Sequence, residues 1–311
     1  MLEQEDWYVW GATMAKTPDG LCHLLFSRWP KVKGFNAWVT HSEIAHAVAD
    51  HPLGPYVVQG TVFKGRGGTA WDADVVHNPQ MIYHAGRYYL YYMGTRGPGG
   101  FWDYRNRQRI GVAVADHPAG PWERLPEPII NVTPGAWDSL MMSNPACCYF
   151  KGKFYLLYKG VNHSPTPQEG SVRYGVAISD SPTGPFVKHP APVIENPTTG
   201  WSVEDAYVWA EGEYLYCLVK DFQGYFTKAE RNTLALFYST DGLKWEPCEQ
   251  PLALRREIIW EDGTRQEVHR LERPQLWLEN GKPAVLFCAC LPEQEANTSF
   301  NLHIPLTDVG K

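Results

Sequence analysis

The chain has 311 residues, a formal net charge of −6 and 44% hydrophobic residues. This length is sufficient for a large core within one domain, and the acidic balance, without a basic stripe, argues against a nucleic-acid partner. No run of about 18 apolar residues occurs, so we expect no membrane-spanning segment.

The N-terminal sequence and the cysteine pattern indicate the cellular compartment in which we expect the protein. The opening MLEQEDWYVW lacks the basic and apolar parts of a signal peptide. The seven cysteines include the adjacent Cys147 and Cys148 and the alternating Cys288 and Cys290, a pattern typical of buried thiols. We therefore expect a cytoplasmic protein in a reducing compartment, with no cofactor, no catalytic metal and a possible homodimeric state.

Apolar segments of strand length follow one another in pairs, each pair joined by a short polar turn. The predicted pairs, in chain order, are Tyr8–Met14 with Leu21–Ser27, Asn78–Tyr83 with Tyr88–Met93, Asn144–Phe150 with Phe154–Tyr158, Ala206–Trp209 with Tyr214–Val219, and Pro274–Leu278 with Pro283–Cys290. Helix signals are nearly absent.

A turn motif recurs after these pairs. Ala49–Tyr56 reads ADHPLGPY, Ala115–Trp122 reads ADHPAGPW, Ser179–Phe186 reads SDSPTGPF, and Ser239–Trp245 is a weaker copy, STDGLKW. Successive copies start 66, 64 and 60 residues apart. Pro fixes φ and Gly permits positive φ, so each copy predicts a tight turn between two strands.

Five units of four short strands predict an all-β fold, a five-bladed β-propeller with four antiparallel strands per blade, formed by residues 1–311 as a single domain. The last unit lacks one strand, which Leu2–Trp7 would supply to close the ring. A pair of β-sandwiches is the alternative, but it does not explain the regular period.

Five long inserts are predicted between second and third strands or just before a first strand. They are Arg28–Thr40, Arg96–Gln108, Val161–Gly170, Phe222–Arg231 and Arg255–Arg270. Long loops on one face of a rigid scaffold are common places for functional sites.

The starts of the five first strands differ in their polar residues. We align Trp10-Gly11-Ala12, His77-Asn78-Pro79, Ser143-Asn144-Pro145, Glu204-Asp205-Ala206 and Glu272-Arg273-Pro274. A structural device would repeat, whereas His77, Glu204, Asp205, Glu272 and Arg273 break the repeat. We expect them at one mouth of the ring, because adjacent carboxylates before an apolar strand are costly unless they are paired or used.

A second frame holds further carboxylates. Ala70-Trp71-Asp72 and Ala136-Trp137-Asp138 are 66 residues apart, and this repetition favours a structural role for at least one of the two Asp. Asp74 is unique to its unit, so Asp72 or Asp74 faces the site in this interpretation. His269 is either a general acid or a loop residue with satisfied hydrogen bonds.

At these residues the chain resembles a group of known enzymes. The run GRYYLYYMG, the turn DSPTGPF and the strand starts VEDAYVW and LERPQLW look like five-bladed propeller glycoside hydrolases of the group around families 43, 32 and 68. HNPQMIYHAGRYYLYY and LERPQL are more similar to family 117. The resemblance covers nearly the whole chain and implies an exo-acting, inverting hydrolase with a carbohydrate substrate.

The resemblance also has one departure. Families 43 and 32 carry a catalytic Asp in the first unit, where this chain has Trp10-Gly11-Ala12, so Asp72 or Asp74 is the expected base and Glu204 or His269 the expected acid. The expected substrate-binding residues are Arg28, Trp29, His77, Asn78, Asn144, Lys159, Asp205, Lys220, Glu272 and Arg273.

Two other functions stay open. A phosphorylase like those of family 130 would need a pocket of cations, for which Arg105, Arg107, Arg109, Lys159 and His163 are candidates. A non-catalytic sugar-binding propeller would bind sugar without turnover.

Overall fold

Alternating apolar residues and tight turns place the chain in antiparallel sheets. The structure is a computed structural model that describes residues 1–165 and 170–306. Five sheets surround a central axis as the blades of a β-propeller, and each predicted strand pair forms the two inner strands of one blade. The predicted five-bladed fold is therefore confirmed.

The strands run outward from the axis in sequence order within each blade. Blade 1 comprises β1 (Trp7–Lys16), β2 (Cys22–Pro30), β3 (Glu43–Ala49) and β4 (Val57–Phe63). Blade 2 comprises β5 (Val75–His84), β6 (Arg87–Thr95), β7 (Arg109–Ala115) and β8 (Glu123–Arg124). Blade 3 comprises β9 (Met141–Phe150), β10 (Lys153–Val161), β11 (Val172–Ser179) and β12 (Val187–Lys188).

The last two blades differ from this plan at their outer edges. Blade 4 comprises β13 (Val203–Glu211), β14 (Tyr214–Asp221), β15 (Thr233–Ser239) and a long outer strand β16 (Glu246–Leu254). A separate hairpin follows, β17 (Glu257–Ile259) with β18 (Arg265–Glu267). Blade 5 has three strands of its own, β19 (Arg270–Glu279), β20 (Lys282–Leu291) and β21 (Phe300–Pro305).

The predicted turn motif forms the link between the third and fourth strands in blades 1 to 3. Its glycine has a left-handed backbone each time, with φ of 91° at Gly54, 84° at Gly120 and 87° at Gly184. Glycine adopts this conformation at little steric cost, so the motif marks the fold and carries no site of its own.

The inserts predicted between second and third strands lie at that place. The first contains two 3₁₀ turns (Lys31–Lys33 and Phe35–Ala37) and the short helix α1 (Trp38–His41). The second contains α2 (Phe101–Asn106). The last insert lies just before the first strand of blade 5 and contains the β17–β18 hairpin. In the insert predicted at 161–170, residues 166–169 lie outside the described residues.

The core lies between neighbouring blades. Between blades 3 and 4, for example, Leu157 and Val176 pack with Val208 and Cys217, all essentially inaccessible to solvent. Six of the seven cysteines are buried and all seven are free thiols, as predicted. No helix in the described chain is long and apolar enough to cross a membrane.

The N-terminus closes the ring, as predicted, but through less chain than expected. Leu2 pairs with Asn301 of β21 through two backbone hydrogen bonds of 2.8 and 2.9 Å, while Trp7 already belongs to β1. Ser299 joins the same two blades, because its hydroxyl donates to the Val9 carbonyl and accepts from the Val9 N–H.

Candidate functional site

Each innermost strand carries a β-bulge at the same place. In β5, Asn78 and Pro79 lie opposite a single residue of β6, and β9, β13 and β19 show the same register shift. The first bulge residue has a left-handed backbone in these four blades, with φ of 52° at Asn78, 50° at Asn144, 58° at Asp205 and 53° at Arg273. Bulges redirect side chains, and here they bring one polar residue per blade to the axis.

Blade 1 also has a bulge, but its first residue is aromatic and not polar. The bulge of β1 comprises Trp10 and Gly11, so that Trp10, not Gly11, occupies the position of Asn78. The alignment made from the sequence is therefore wrong by one residue in this blade. The physical reason is space: a Cβ on Gly11 would lie 3.0 Å from the Cβ of Arg273, so glycine makes room for the arginine.

The bulges and the residues before them surround a pocket of about 90 Å³ at one end of the axis. The predicted site residues that line it are Trp29, His77, Asn78, Asn144, Lys159, Glu204, Asp205 and Glu272. They come from all five blades, so the predicted convergence of the strand starts is observed.

Aromatic rings form one wall of the pocket. Trp10 and Trp29 come from blade 1, and Phe35 and Trp38 come from the first insert. Phe35 meets Trp10 edge to face at 5.3 Å, and Trp38 stacks on the imidazole of His77 at 5.1 Å. Such rings offer apolar faces to a ligand that also carries polar groups.

Two lysines hold Glu204. The ammonium groups of Lys159 and Lys220 donate to its two carboxylate oxygens, the latter at 2.8 Å. Burial alone would raise the pKa of Glu204, but the two ammonium groups lower it well below its usual value. Glu204 is therefore an ionised carboxylate at neutral pH.

Glu272 shares a lysine with Glu204. Its Oε1 accepts from Lys220 Nζ at 2.8 Å and lies 3.7 Å from Arg270 Nη1. In the described chain no hydrogen bond reaches its other oxygen, Oε2. Burial opposes the charge of Lys220, but Glu204 and Glu272 raise its pKa, so it bridges the carboxylates as a cation.

Asp205 has a different environment. It accepts from Asn144 Nδ2 at 2.7 Å, while its cationic neighbours are more distant, Arg273 at 3.6 Å and Lys220 at 3.8 Å. Burial and the charge of Glu204 raise the pKa of Asp205 to about 6.

His77 is a neutral residue of the pocket. Its Nδ1 shares a hydrogen bond of 2.7 Å with the Ser42 hydroxyl. Burial lowers the pKa of His77 well below its usual value, and the charges of Arg273 and Lys159 lower it further.

Asp72, predicted as the base, does not line the pocket. Its buried carboxylate accepts from Arg66 Nε at 2.5 Å and from the Tyr92 hydroxyl at 2.8 Å, and it pairs with Arg124 at 3.3 Å. Asp138 repeats this arrangement with Tyr158 and Lys188 at 3.1 and 2.7 Å. Both Asp are structural, which corrects the prediction for Asp72.

Three further predicted site residues, Asp74, Arg28 and His269, also lie outside the pocket lining. Asp74 is exposed and accepts from the Gly97 N–H at 3.1 Å in the second insert. Arg28 pairs with Glu43 at 2.9 Å and does not line the pocket. His269 lies just before β19, near enough for Glu272 to affect its pKa, which burial lowers; its ring does not line the pocket.

The cations considered for a phosphate site converge only in part. Arg105 is buried close enough to Lys159 for its charge to lower the pKa of Lys159, but the charge of Glu204 offsets both cations. Lys159 lines the pocket, but its ammonium is bound to Glu204. Arg107 pairs with Asp103 at 2.9 Å, and Arg109 donates to the Gln108 carbonyl at 2.7 Å. This arrangement gives no support to a phosphate pocket.

Four pocket residues were not predicted as site residues: Trp10, Phe35, Trp38 and Arg270. Phe35 and Trp38 are aromatic residues in an insert on the site face, a signal that the sequence contained. Arg270 ends the last predicted insert and is the first residue of β19. Trp10 was missed because of the one-residue error in blade 1.

Fold and pocket together define a five-bladed β-propeller with an acidic, aromatic-walled site on its axis. No protein-family model matches the chain, and no curated protein matches its sequence. Solved structures do match, at identities that establish the fold.

Three of the similar structures are named for glycoside hydrolases or related enzymes. A family 117 glycoside hydrolase of the marine bacterium Zobellia galactanivorans is 18% identical, with a TM-score of 0.67 over 96% of this chain and 83% of that one. A mutant α-L-arabinanase of Cellvibrio cellulosa is 14% identical, with a TM-score of 0.65 over 98% and 93%. A GH43_1 enzyme of Xanthomonas citri, complexed with xylose, is 15% identical, with a TM-score of 0.64 over 97% and 88%.

Proposed function

We propose that the chain is a glycoside hydrolase that cleaves a terminal sugar in the axial pocket. The observation that carries the proposal is the pair Glu204 and Glu272, which flank Lys220 in an aromatic-walled pocket. Glycoside hydrolysis needs two carboxyl groups beside the scissile bond. The similar propellers named as glycoside hydrolases add support to this class of reaction.

The surroundings of the two carboxyl groups suggest their roles. Glu204 has both oxygens bound by ammonium groups, which favours the ionised form, so it acts as the nucleophile or base. Glu272 has one oxygen engaged by Lys220 and, in the described chain, no hydrogen bond at the other, so we assign it the role of general acid. Glu272 therefore takes the acid role for which the sequence suggested Glu204 or His269.

The size and floor of the pocket favour an exo-acting enzyme. The pocket is small, about 90 Å³, and Asn78, Asn144 and Asp205 join across the axis beneath it through hydrogen bonds of 3.0 and 2.7 Å. Such a floor would stop a chain from passing through, so the terminal residue enters alone.

The distance between the carboxylates of Glu204 and Glu272 indicates whether hydrolysis retains or inverts the anomeric configuration. Lys220 Nζ lies 2.8 Å from an oxygen of each carboxylate, so those two oxygens are at most twice that distance apart. Inverting sites place a water between carboxyl groups roughly 6.5–9.5 Å apart, whereas retaining pairs are about 5–5.5 Å apart. Glu204 and Glu272 therefore favour retention, in place of the inversion that the sequence resemblance implied.

The test is a screen of aryl glycosides and of plant and algal oligosaccharides, with and without phosphate. We expect hydrolysis without phosphate, and a loss of turnover of about 10²–10⁴-fold in Glu204→Gln and Glu272→Gln. NMR of the first-formed anomer would give the stereochemistry.

Three outcomes would contradict the proposal. Turnover that requires phosphate would indicate a phosphorylase, and sugar binding without turnover would indicate a binding module. Two active Gln variants with native circular dichroism would remove the carboxylate pair from the chemistry.

A further inference from the structure

A hydrogen-bonded chain of side chains crosses the floor of the pocket. Asn78 Nδ2 donates to Asn144 Oδ1 at 3.0 Å, and Asn144 Nδ2 donates to Asp205 Oδ1 at 2.7 Å. Arg273 Nη1 lies 3.6 Å from the same Asp205 oxygen. The four residues occupy equivalent bulge positions in four blades, and all are at least 95% buried.

The backbone fixes the position of this chain. The Tyr174 hydroxyl donates to the Asn144 carbonyl at 3.2 Å and accepts from the Ala206 N–H at 3.0 Å, so it joins the bulges of blades 3 and 4. The Asn78 N–H donates to Ser27 Oγ at 2.8 Å. Neither asparagine can move along the axis without breaking a buried hydrogen bond.

The charge at one end fixes the orientation of both amides. An ionised carboxylate only accepts hydrogen bonds, and Asp205 is ionised at neutral pH with Arg273 and Lys220 beside it. Asn144 must therefore present its NH₂ group to Asp205 and its oxygen to Asn78. Asn78 must in turn present its NH₂ group to Asn144.

One acceptor is left over at the other end. Asn78 Oδ1 is buried, and within the described residues it has no hydrogen-bond partner, while Asn78 itself lines the pocket. A buried acceptor without a partner costs free energy, and a ligand that donates to it recovers that cost. The rings around the pocket and its small volume suit a sugar, whose hydroxyl groups are donors.

We propose that Asn78 is a specificity-determining residue that accepts a hydrogen bond from one hydroxyl of the bound sugar, and that Asp205 orients it through Asn144. The proposal rests on the proposed function for the identity of the ligand. A site built to bond one hydroxyl discriminates strongly against an analogue that lacks it.

The experiment compares 4-nitrophenyl glycosides of L-arabinofuranose, D-xylose and D-galactose with their monodeoxy analogues. For the sugar that is hydrolysed, we expect one deoxy position to lower kcat/KM of the wild type by at least about tenfold. In Asn78→Gly that penalty falls below about twofold, and in Asn144→Gly it is reduced. Glycine is the chosen substitution because it tolerates the φ of 52° and 50° found here.

A second readout guards against a folding defect or a lack of turnover. Calorimetric titration of the same free monosaccharides into wild type and Asn78→Gly should show weaker binding in the variant, with matching circular dichroism. Turnover with an unchanged deoxy penalty in a folded Asn78→Gly would overturn the inference alone. Asn78-dependent binding without turnover would overturn the hydrolase proposal alone, and neither binding nor turnover would overturn both.

Discussion

Glu204 and Asp205 are adjacent in the chain, yet their environments move their pKa values in opposite directions. Glu204 receives two ammonium donors, one of them at 2.8 Å, whereas the cations nearest Asp205 stand 3.6 and 3.8 Å away. Direct charge-assisted hydrogen bonds outweigh burial at Glu204. At Asp205, burial and the neighbouring negative charge outweigh the more distant cations.

This difference gives a pH-dependent contribution to stability. The pKa of Asp205 rises from 3.8 to about 6 on folding, so between these values the folded state binds more protons at this group than the unfolded state. The stabilisation from Asp205 is therefore present at low pH and is lost as the pH rises through that window. We expect the free energy of unfolding of wild type, relative to Asp205→Asn, to decrease from pH 4 to about pH 6.

Urea unfolding of both proteins at several pH values measures this difference. Glu204 is common to both proteins, so its opposite contribution cancels to first order. A difference that is constant, or that grows with pH, would show that the pKa of Asp205 is not raised.

At the scale of single elements, the repeated Trp-Asp motif lies in the segment that precedes the first strand of a blade and binds that segment to strands of the same blade. Trp71 packs against Gly111, where a Cβ would lie 2.6 Å from the indole, and Trp137 packs against Gly175 in the same way at 2.5 Å. The Asp that follows each Trp binds a tyrosine of the second strand and a cation of the outer strand. The motif therefore repeats because it is structural.

The two copies differ in charge, which gives a prediction. Asp72 neutralises Arg66 and Arg124, while Asp138 pairs with Lys188. We expect Asp72→Asn to lower the free energy of unfolding by about 3–5 kcal/mol, because breaking a buried ion pair leaves a charge uncompensated. The matched Asp138→Asn should lose less, since it frees one cation in place of two.

Denaturant unfolding and turnover per folded molecule separate stability from chemistry here. Both variants should keep near-native turnover below their unfolding transitions. A folded Asp72→Asn protein that had lost turnover by 10²-fold or more, about the effect of removing a general base, would return Asp72 to the active site.

At the scale of the whole molecule, ring closure depends on a few contacts between the ends of the chain. Leu2 adds one bridge to β21, and Ser299 bonds both the N–H and the carbonyl of Val9. The Ser299 side chain is fully buried, so water cannot replace these bonds.

We expect Ser299→Ala to lower the free energy of unfolding by about 1–3 kcal/mol, because it leaves buried backbone groups of β1 without partners. Ser181→Ala is the control, since the hydrogen bonds of Ser181 to other described residues all lie within its own turn. Thermal unfolding of the two variants measures the difference. Equal melting temperatures would mean that Ser299 does not help to close the ring.

Much of the fold was predictable because its causes are local. The Asp-Pro-Gly-Pro turns and the alternating strands act over a few residues, and their repetition gave the blade count. The strand starts Glu204-Asp205 and Glu272-Arg273 were predictable for the same reason, since their position within the repeat places them at the axis. Neither Asp72 nor Asp74, the two candidates for the base, lines the pocket. The repeat with Asp138 favoured a structural role for one Asp, but neighbours in the chain do not show in which direction a carboxylate points.

By itself the sequence determined the repeat, the all-β architecture and the end of the axis where unlike polar residues gather, because period-two patterning and turn chemistry depend on neighbours in the chain. Only the tertiary structure decided which groups meet. Lys220 bridges Glu204 and Glu272 across two blades at 2.8 Å from each, and Asn78, Asn144 and Asp205 join across more than 60 residues each. Electrostatic pairing and hydrogen bonding depend on distance in space, which the packing of the five blades sets.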